Sequence, residues 1–574
     1  MADKFQRLSF LKKTRCVMIS TMMITVVGYT VIERLKNKLD IPSVNKVTYG
    51  FGNASEKLKA LPGPDIVFAI CKGIPDPPTG KVWPEENFRY IPEVVNLDEL
   101  PHAATSMLVN NGSHTVKVGD TVTFTVVLCD RQGKRRQRGG DLVRVWLTEP
   151  AVGAAVNARV LDNGDGSYTA ATTVFWVGRP EIKAAIISPR EVIAAVLNRR
   201  HICPPVLVNT AIFQHPVDKS IKEETPCNAY PHVTGYDVIC NLTEDNFGWH
   251  WYCGKPRHDQ LQCVDWTAVA DRNLWSLGTD INFQSDNRKA LCSLDHSSQV
   301  LLASIRITVT SDSNISHVIA TPPCSRSILS HTWKMDSPTG HLYKNTWFSK
   351  NCRPWITKHE IRECLRNTNI ALIGDSTLRQ MFYSIRTLIS CKWGSDTFAN
   401  GGKHRTTSCN DITTNTSLAW IPHGLPFCTG ELPRQYLKTF KASVNILRKT
   451  DQRNIIVFHI YAHTLNYHSR VFYSILKDLA SVIRRIIADN DNTFVVLKGP
   501  HAFSFAKSKD HVIWMPDVYA SIYTNFINDE FDDIKDRVMF LEALDMTIAT
   551  EQWHIHSEKN IILQHVLQIL EHVC

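Results

Sequence analysis

Apolar and polar residues alternate along short segments of the first part of the chain, and this period of two predicts β-strands. Thr121–Leu128 shows the pattern most clearly. The tight turn Asp162–Gly166 separates two further candidate strands. Short strands broken by such turns predict a β-sandwich over residues 96–200. Beside Thr121–Leu128, the predicted strands are Leu142–Leu147, Ala158–Leu161 and Ser167–Ala170.

From about residue 336 the pattern changes to apolar runs that alternate with helical spacings of three and four residues. Strands that alternate with helices predict a parallel sheet with helices on both faces, and a ligand crevice at the carboxyl ends of the strands. We therefore predict a C-terminal α/β domain over residues 336–574. Its predicted strands are Ile370–Ile373, Ile455–Phe458, Thr493–Leu497 and Val538–Leu541. Its predicted helices include Ser469–Ile487, Asp517–Phe531 and Ile561–Val573.

Two regions between and before these domains show little periodicity. Residues 33–95 are rich in proline and charge, which is typical of a stem or linker. Residues 201–335 hold seven cysteines and are predicted to form a region stapled by disulfides, although the sequence does not give the pairing.

The N-terminus combines a basic segment with an uncharged apolar one, Cys16–Ile32. Residues 1–32 therefore predict a cytosolic tail and an uncleaved signal-anchor, which would make the chain a type II membrane protein facing the Golgi lumen. A cleaved signal peptide is the alternative and would give a secreted protein.

Cysteine usage and sequons agree with the secretory pathway. All but Cys16 of the 16 cysteines lie from Cys71 onward with unlike spacings and no CxxC pair, so we predict disulfides and no metal site. The net charge of +9 is spread over the chain, and the basic run Arg131–Arg138 is interpreted as a solvated loop, so no nucleic-acid partner is expected. Five predicted N-glycosylation sites are present, at Asn53, Asn111, Asn241, Asn314 and Asn415.

The most informative residue is Ser376, because it follows a predicted strand and opens a predicted helix. A serine there projects past the sheet edge above the free N–H groups of the helix, which suits a nucleophile whose attack creates an oxyanion. The alternative is that Ser376 or Asp375 only caps the helix. His556 lies just before the last helix and is the candidate general base.

The block around Ser376 resembles a known family. Trp355, Cys364, Leu365 and Gly374–Gln380 (Gly-Asp-Ser-Thr-Leu-Arg-Gln) are similar to the first block of the PC-esterase group, a branch of the SGNH/GDSL hydrolase-like superfamily. The upstream half resembles neurexophilin, and the turn at Asp162 resembles that of filamin-type immunoglobulin repeats. The chain is thus identified as resembling the NXPE family (neurexophilin and PC-esterase domain).

Three positions depart from the family's pattern. Trp553 stands where the last block usually has the aspartate of the triad, so Asp545 or Glu551 is the candidate replacement. Tyr461 stands where the second block has a glycine, and His501 where the third block has an asparagine. The predicted oxyanion donors are therefore the backbone of Ser376 and of Tyr461, with His501 as a replacement side-chain donor.

The resemblance implies a secretory-pathway O-acyltransferase or acylesterase that acts on glycans through an acyl-enzyme. The acyl group expected from the family is acetyl, sialic acid is a candidate acceptor, and acetyl-CoA is a possible donor; no resident cofactor is expected. The three departures leave a second hypothesis open, in which the chain is an inactive, neurexophilin-like secreted or anchored protein that binds a cell-surface receptor.

Overall fold

A computed structural model describes residues 83–87, 96–201, 209–233, 235–271, 298–311, 322–354, 357–393, 405–426, 431–444, 452–503 and 517–574. All of them belong to one compact unit, residues 64–574. The predicted segment 1–32, most of the predicted stem and the sequons at Asn53 and Asn314 lie outside these residues. None of the helices described has the length and apolar character needed to cross a bilayer.

The first part of the chain forms two facing antiparallel sheets, in line with the predicted sandwich. One sheet has the order β1-β3-β7-β6, and the other contains β4, β5 and β8. Along β3 the residues Val122, Phe124 and Val126 are buried and the threonines between them are more exposed, so alternation along the sequence translates directly into an inner and an outer face. The eight strands of this part, of which β2 lies outside the two sheets, are β1 Met107–Asn110, β2 Thr115–Lys117, β3 Thr121–Val127, β4 Leu142–Glu149, β5 Ala154–Asn157, β6 Arg159–Asp162, β7 Ser167–Thr173 and β8 Glu181–Ser188.

The cysteine-rich region contains more regular structure than its sequence predicts. The eight strands concerned are β9 Asn209–Gln214, β10 Lys222–Asn228, β11 Ile239–Asn241, β12 Tyr252–Gly254, β13 Trp266–Asp271, β14 Gln299–Val300, β15 Ile305–Arg306 and β16 Thr308–Thr310. Strands β11-β12-β10-β9-β13 form most of one sheet. The first five residues of β9 are all buried, so this strand carries no alternating signal that the sequence could display. Disulfides Cys227–Cys253 and Cys240–Cys263 staple the sheet.

The last part of the chain forms a seven-stranded sheet of order β20-β21-β22-β19-β24-β25-β26. The pairs from β22 through β26 are parallel, whereas β20-β21-β22 are antiparallel. The strands of this part are β17 Gly340–Tyr343, β18 Thr346–Ser349, β19 Thr368–Gly374, β20 Lys392–Trp393, β21 Thr407–Asp411, β22 Thr416–Pro422, β23 Leu432–Pro433, β24 Arg453–Phe458, β25 Thr493–Lys498 and β26 Val538–Leu541. Of these ten strands the sequence predicts β19, β24, β25 and β26, and it does not predict the other six.

Nine α-helices lie within the described residues, and the longest cover the seven-stranded sheet. They are α1 Pro84–Asn87, α2 Arg190–His201, α3 Lys358–Cys364, α4 Ser376–Leu388, α5 Phe440–Val444, α6 Ser469–Asp489, α7 Val518–Glu530, α8 Leu544–Ala549 and α9 Lys559–Val573. Ile373 of β19 belongs to a buried cluster with residues of α6 and α7, whereas Leu372 belongs to a second cluster with residues of α4 and α9. Helices therefore pack on both faces of the sheet, as predicted.

The four regions predicted between residues 33 and 574, including the stem that contains α1, share strands and side chains across the boundaries drawn from the sequence. Strands β17 and β18 follow residue 336, yet β17 pairs with β5 of the sandwich. Strand β23 pairs with β13 of the cysteine-rich region. In α1, the buried Glu85 accepts hydrogen bonds from the backbone N–H of Ser469 (2.8 Å) and the hydroxyl of Tyr519 (2.7 Å).

The predicted disulfides are confirmed, with three further pairs, Cys324–Cys352, Cys364–Cys574 and Cys391–Cys409. Cys129 is a buried free thiol. The sequon residues Asn111, Asn241 and Asn415 are exposed, as N-glycosylation would require.

Candidate active site

Ser376 is the first residue of α4, directly after β19, at the carboxyl edge of the sheet. The N-cap of α4 is Asp375, whose carboxylate accepts hydrogen bonds from the backbone N–H (2.8 Å) and hydroxyl (2.7 Å) of Thr377. A Cβ at Gly374 would lie 2.4 Å from the backbone oxygen of His459, so only glycine fits between the two strands there. Capping is thus done by Asp375, and the Ser376 hydroxyl remains available at the surface.

The structure brings Ser376 together with His556, which lies 180 residues later. The Ser376 Oγ and His556 Nε2 atoms are 2.8 Å apart, which is hydrogen-bond distance. His556 is exposed and Ser376 is partly exposed, so a substrate has access to both. The pair has the separation required for His556 to take the serine proton.

The segment that carries His556 is held on both sides of that residue. The Nε2–H of His501 donates to the backbone oxygen of Ile555 (3.0 Å), and the Gln380 amide donates to that of Ser557 (2.9 Å). Gln380 belongs to α4, the same helix that begins with Ser376. The two hydrogen bonds therefore fix the imidazole segment relative to the serine, a role that the sequence alone does not reveal.

A buried cluster of ionisable groups lies beneath Ser376. The Nδ1–H of His459, just after β24, donates to the backbone oxygen of Lys498 (2.8 Å), and His459 Nε2 lies 3.4 Å from both Lys498 Nζ and Asp375 Oδ2. Burial acts to raise the pKa of Asp375, but His459, His463 and Lys498 together bring it below its usual value.

Burial also lowers the pKa of Lys498, to about 8, against the opposing effect of Asp375. The pKa of His459 falls to about 4, mainly through burial and secondly through Lys498. Near neutral pH His459 is therefore uncharged, and Lys498 is the cation that balances the Asp375 carboxylate.

Besides Ser376, the residues predicted to stabilise an oxyanion are Tyr461 and His501, and the rings of both lie near that of His459. Tyr461 is fully buried, and its ring stacks on Phe503 with centroids 4.9 Å apart. His501 uses its Nε2–H on Ile555, and burial lowers its pKa well below the usual value, so the imidazole is neutral and Nδ1 carries no hydrogen. The oxyanion roles of Ser376, Tyr461 and His501 stay predictions, and for His501 they would require a different tautomer.

The two candidate acids contact the sandwich. Asp545 accepts hydrogen bonds from the Asn157 amide (2.7 Å) and from the backbone N–H (2.8 Å) and hydroxyl (3.0 Å) of Thr339. Glu551 Oε1 accepts from Trp146 Nε1 (2.9 Å) and Lys183 Nζ (2.8 Å). Their proposed role in orienting His556 stays a prediction. The contacts show that each carboxylate also joins the α/β domain to the sandwich.

Trp553, at the family's usual acid position, is fully buried against the sandwich. Its ring meets that of Trp146 edge to face with centroids 4.9 Å apart. A buried ion pair joins Arg144, also on β4, to Asp517, which accepts a hydrogen bond from the backbone N–H of Phe503 (2.9 Å). Strand β4 thus packs behind the segments that hold His501 and His556. Only the tertiary structure reveals this contact, because more than 400 residues separate Trp146 from Glu551.

Residues 347–574 match the family model described as NXPE family member 4-like, C-terminal domain. Two solved structures show weak likeness. The Escherichia coli adhesin FdeC is 18% identical over 37% of this chain and 65% of its own, with a TM-score of 0.13. Invasin, a bacterial integrin-binding protein, is 10% identical over 56% of this chain and 61% of its own, also with a TM-score of 0.13. The chain spans less than two thirds of either protein, and scores this low bear on neither fold nor function.

Proposed function

Because this chain belongs to the NXPE family, we propose that it is an O-acyltransferase or acylesterase that acts on glycans and uses Ser376 as the nucleophile. The observation that carries the proposal is the 2.8 Å approach of Ser376 Oγ and His556 Nε2 at the turn from β19 into α4. A helix cap alone would not require a histidine 180 residues away to meet the serine hydroxyl.

The chemistry follows from this geometry. Ser376 Oγ attacks the carbonyl carbon of the acyl donor while His556 Nε2 takes the hydroxyl proton. The negative charge that develops on the carbonyl oxygen lies near the N-terminus of α4, where free N–H groups and the helix dipole stabilise it. The leaving group departs with the proton from His556, and an acyl-serine remains. His556 then deprotonates the acceptor hydroxyl, which attacks the acyl-serine and regenerates Ser376.

The substrates are proposed from the family's chemistry. The acyl group is acetyl, acetyl-CoA is the candidate donor, and a glycan or glycoprotein hydroxyl, such as one of sialic acid, is the candidate acceptor. Five disulfides among the described residues and three exposed sequon asparagines support action in the lumen of the secretory pathway. The chain would be held at the Golgi membrane by residues 16–32, or secreted after cleavage.

The test compares glycan O-acetylation in cells that express wild-type protein, Ser376→Ala or Ser384→Ala. Ser384 lies on the same helix, eight residues after Ser376 and thus roughly 12 Å further along the helix axis, so its variant is a matched control. Mass spectrometry of released glycans should show a gain or loss of acetyl groups that Ser376→Ala abolishes and Ser384→Ala retains. A gain identifies a transferase and a loss identifies an esterase.

A second readout uses the serine itself. A fluorophosphonate forms a covalent bond with an activated serine, and we expect it to label wild-type protein at Ser376, far more slowly in His556→Ala, and not in Ser376→Ala. If the folded wild-type protein shows neither labelling nor a change in acetylation, the acyl-transfer proposal is wrong.

The alternative function is that of an inactive binding protein that engages a cell-surface receptor. The specific observation in its favour is that Trp553 occupies the triad acid's usual position and that Asp545 and Glu551 both bind sandwich residues. Losing the triad acid costs a serine protease about 10⁴ in kcat. Normal folding and export with no serine reactivity would favour this alternative.

A further inference from the structure

Two cysteines and a histidine meet at the C-terminal end of α9, away from the serine. Cys324 begins a short 3₁₀ turn and Cys352 follows β18, and the two form a disulfide. His572 and Glu571 belong to the last turn of α9. Cys324, Cys352 and Glu571 are all more than nine-tenths buried.

Two contacts link the polar side chains to the sulfurs. His572 Nε2 lies 3.8 Å from Cys352 Sγ, and Glu571 Oε2 lies 4.0 Å from Cys324 Sγ. The two sulfurs and one imidazole nitrogen of His572 all lie within 4.8 Å of one another. Among the residues that the structure describes, one group of at least three His, Cys, Asp or Glu side chains is spaced closely enough to share a cation, and it is this one.

The histidine has the orientation of a metal ligand. Its Nδ1–H donates to the backbone oxygen of Gln568 (2.8 Å), so Nε2 carries the lone pair and faces the sulfur. Zinc-bound histidines are commonly fixed in this way, with one ring nitrogen on a carbonyl or carboxylate and the other on the metal.

The spacing also suits tetrahedral zinc. With Zn–S near 2.3 Å and Zn–N near 2.0 Å, neighbouring donors of a tetrahedral site lie roughly 3.5–3.8 Å apart. The distance from His572 to Cys352 already has this value, and the distance from Glu571 to Cys324 is close to it. The two bonded sulfurs must separate for all the donors to reach these distances.

The geometry points to a latent Zn²⁺ site formed by Cys324, Cys352, His572 and Glu571, which opens when the disulfide is reduced. A thiol reductant supplies two electrons and two protons, the S–S bond breaks, and two cysteine thiols and the oxidised reductant form. Zn²⁺ then binds the two thiolates and the imidazole, and the two thiol protons pass to solvent. The Glu571 carboxyl group supplies the fourth donor, and the proton that it carries also passes to solvent.

The test measures protection of individual cysteines in the full chain. Protein reduced with a non-chelating phosphine is treated with iodoacetamide in the presence and absence of Zn²⁺, and each cysteine is quantified by peptide mass spectrometry. We expect Zn²⁺ to slow alkylation of Cys324 and Cys352 at least about tenfold, because a metal-bound thiolate is withheld from the alkylating agent. Cys391 and Cys409 form a second disulfide in the same domain and serve as the internal control.

Two variants separate zinc binding from general effects on the fold. His572→Ala should abolish the protection of both cysteines, and Glu571→Gln should weaken the apparent Zn²⁺ affinity by about 10–100-fold, the range seen when metal sites lose a supporting group. Co²⁺ substituted for Zn²⁺ should give a thiolate-to-metal absorption band in the parent and none in Cys324→Ser/Cys352→Ser. Equal alkylation with and without Zn²⁺, or equal protection of all four cysteines, would overturn the proposal.

Discussion

Trp146 of the sandwich is expected to control the reactivity of Ser376 from a distance. Its ring packs on Trp553, three residues before His556, and its Nε1–H binds Glu551. Trp146→Ala removes a side chain that is 1% exposed, and a buried Trp→Ala change typically costs about 3–5 kcal/mol. The lost edge-to-face pair accounts for about 0.5–1.5 kcal/mol of this.

The effect on reactivity follows from positioning. Trp553 loses its packing partner, so the segment from Glu551 to His556 is less firmly held. A displacement of about 1 Å in a catalytic group can cost on the order of 10²-fold in rate. We therefore expect Trp146→Ala to slow fluorophosphonate labelling of Ser376 by about 10–100-fold, measured by stopped-time labelling and mass spectrometry of the modified peptide.

Trp176 provides the matched control. It is also a buried sandwich tryptophan whose Nε1–H binds a glutamate, Glu149 (2.7 Å), but it packs within the core of the sandwich. Trp176→Ala should lower the melting temperature and leave the labelling rate of the folded protein near that of wild type. If the two variants are equally stable and label equally fast, the sandwich does not position His556 and our reasoning is refuted.

Three further predictions concern the surroundings of the serine. Lys498→Met should lower the free energy of unfolding by about 3–5 kcal/mol, because it leaves the Asp375 carboxylate buried without its cation; adding Asp375→Asn should recover much of this in urea titrations. Burial raises the pKa of the Glu542 carboxyl group to about 8 from its ordinary value of 4.5. Its contribution to the free energy of unfolding is therefore complete below pH 4.5 and is lost as the pH rises to about 8, at up to about 1.4 kcal/mol per pH unit. Glu542→Gln should flatten the pH dependence of the urea midpoint, and an unchanged slope would contradict the assignment. Gln380→Ala removes one hydrogen bond to the segment of His556 and should slow labelling of Ser376 up to about tenfold, with little change in melting temperature.

Local patterns in the sequence were sufficient for many elements of the fold. The strand before Ser376, the helix after it and the long helix α6 each carry a strong signal within a short window, and the structure contains all three. Strand β22 begins with polar residues and was missed, although its later residues are buried beside β19. Strand β9 of the cysteine-rich region was missed because a strand buried on both faces does not alternate.

Some features of the site could likewise be predicted from local sequence patterns and others could not. Ser376 and His556 could be proposed because each stands beside a recognisable turn or helix start. The contacts of Glu551 with Trp146 and of His501 with Ile555 could not, because they join segments that are distant in sequence and carry no motif. The partners of Asp545 and Glu551 depend on how the sandwich packs against the α/β domain, and no local sequence pattern encodes that packing.

The exchange of strands between regions affects how the protein can be divided. The family match begins at residue 347, inside β18, a strand of the sandwich's sheet, and β23 of the same matched segment completes the sheet of the cysteine-rich region. A fragment cut at that residue would lose the partner of β23 and split the hairpin of β17 and β18. The start of the family match is thus not a border along which the chain folds. In calorimetry, residues 64–574 should therefore melt in one cooperative transition. A chimera that takes its sandwich from a relative should keep the contacts with Trp553 and Glu551 only if that sandwich supplies the same side chains.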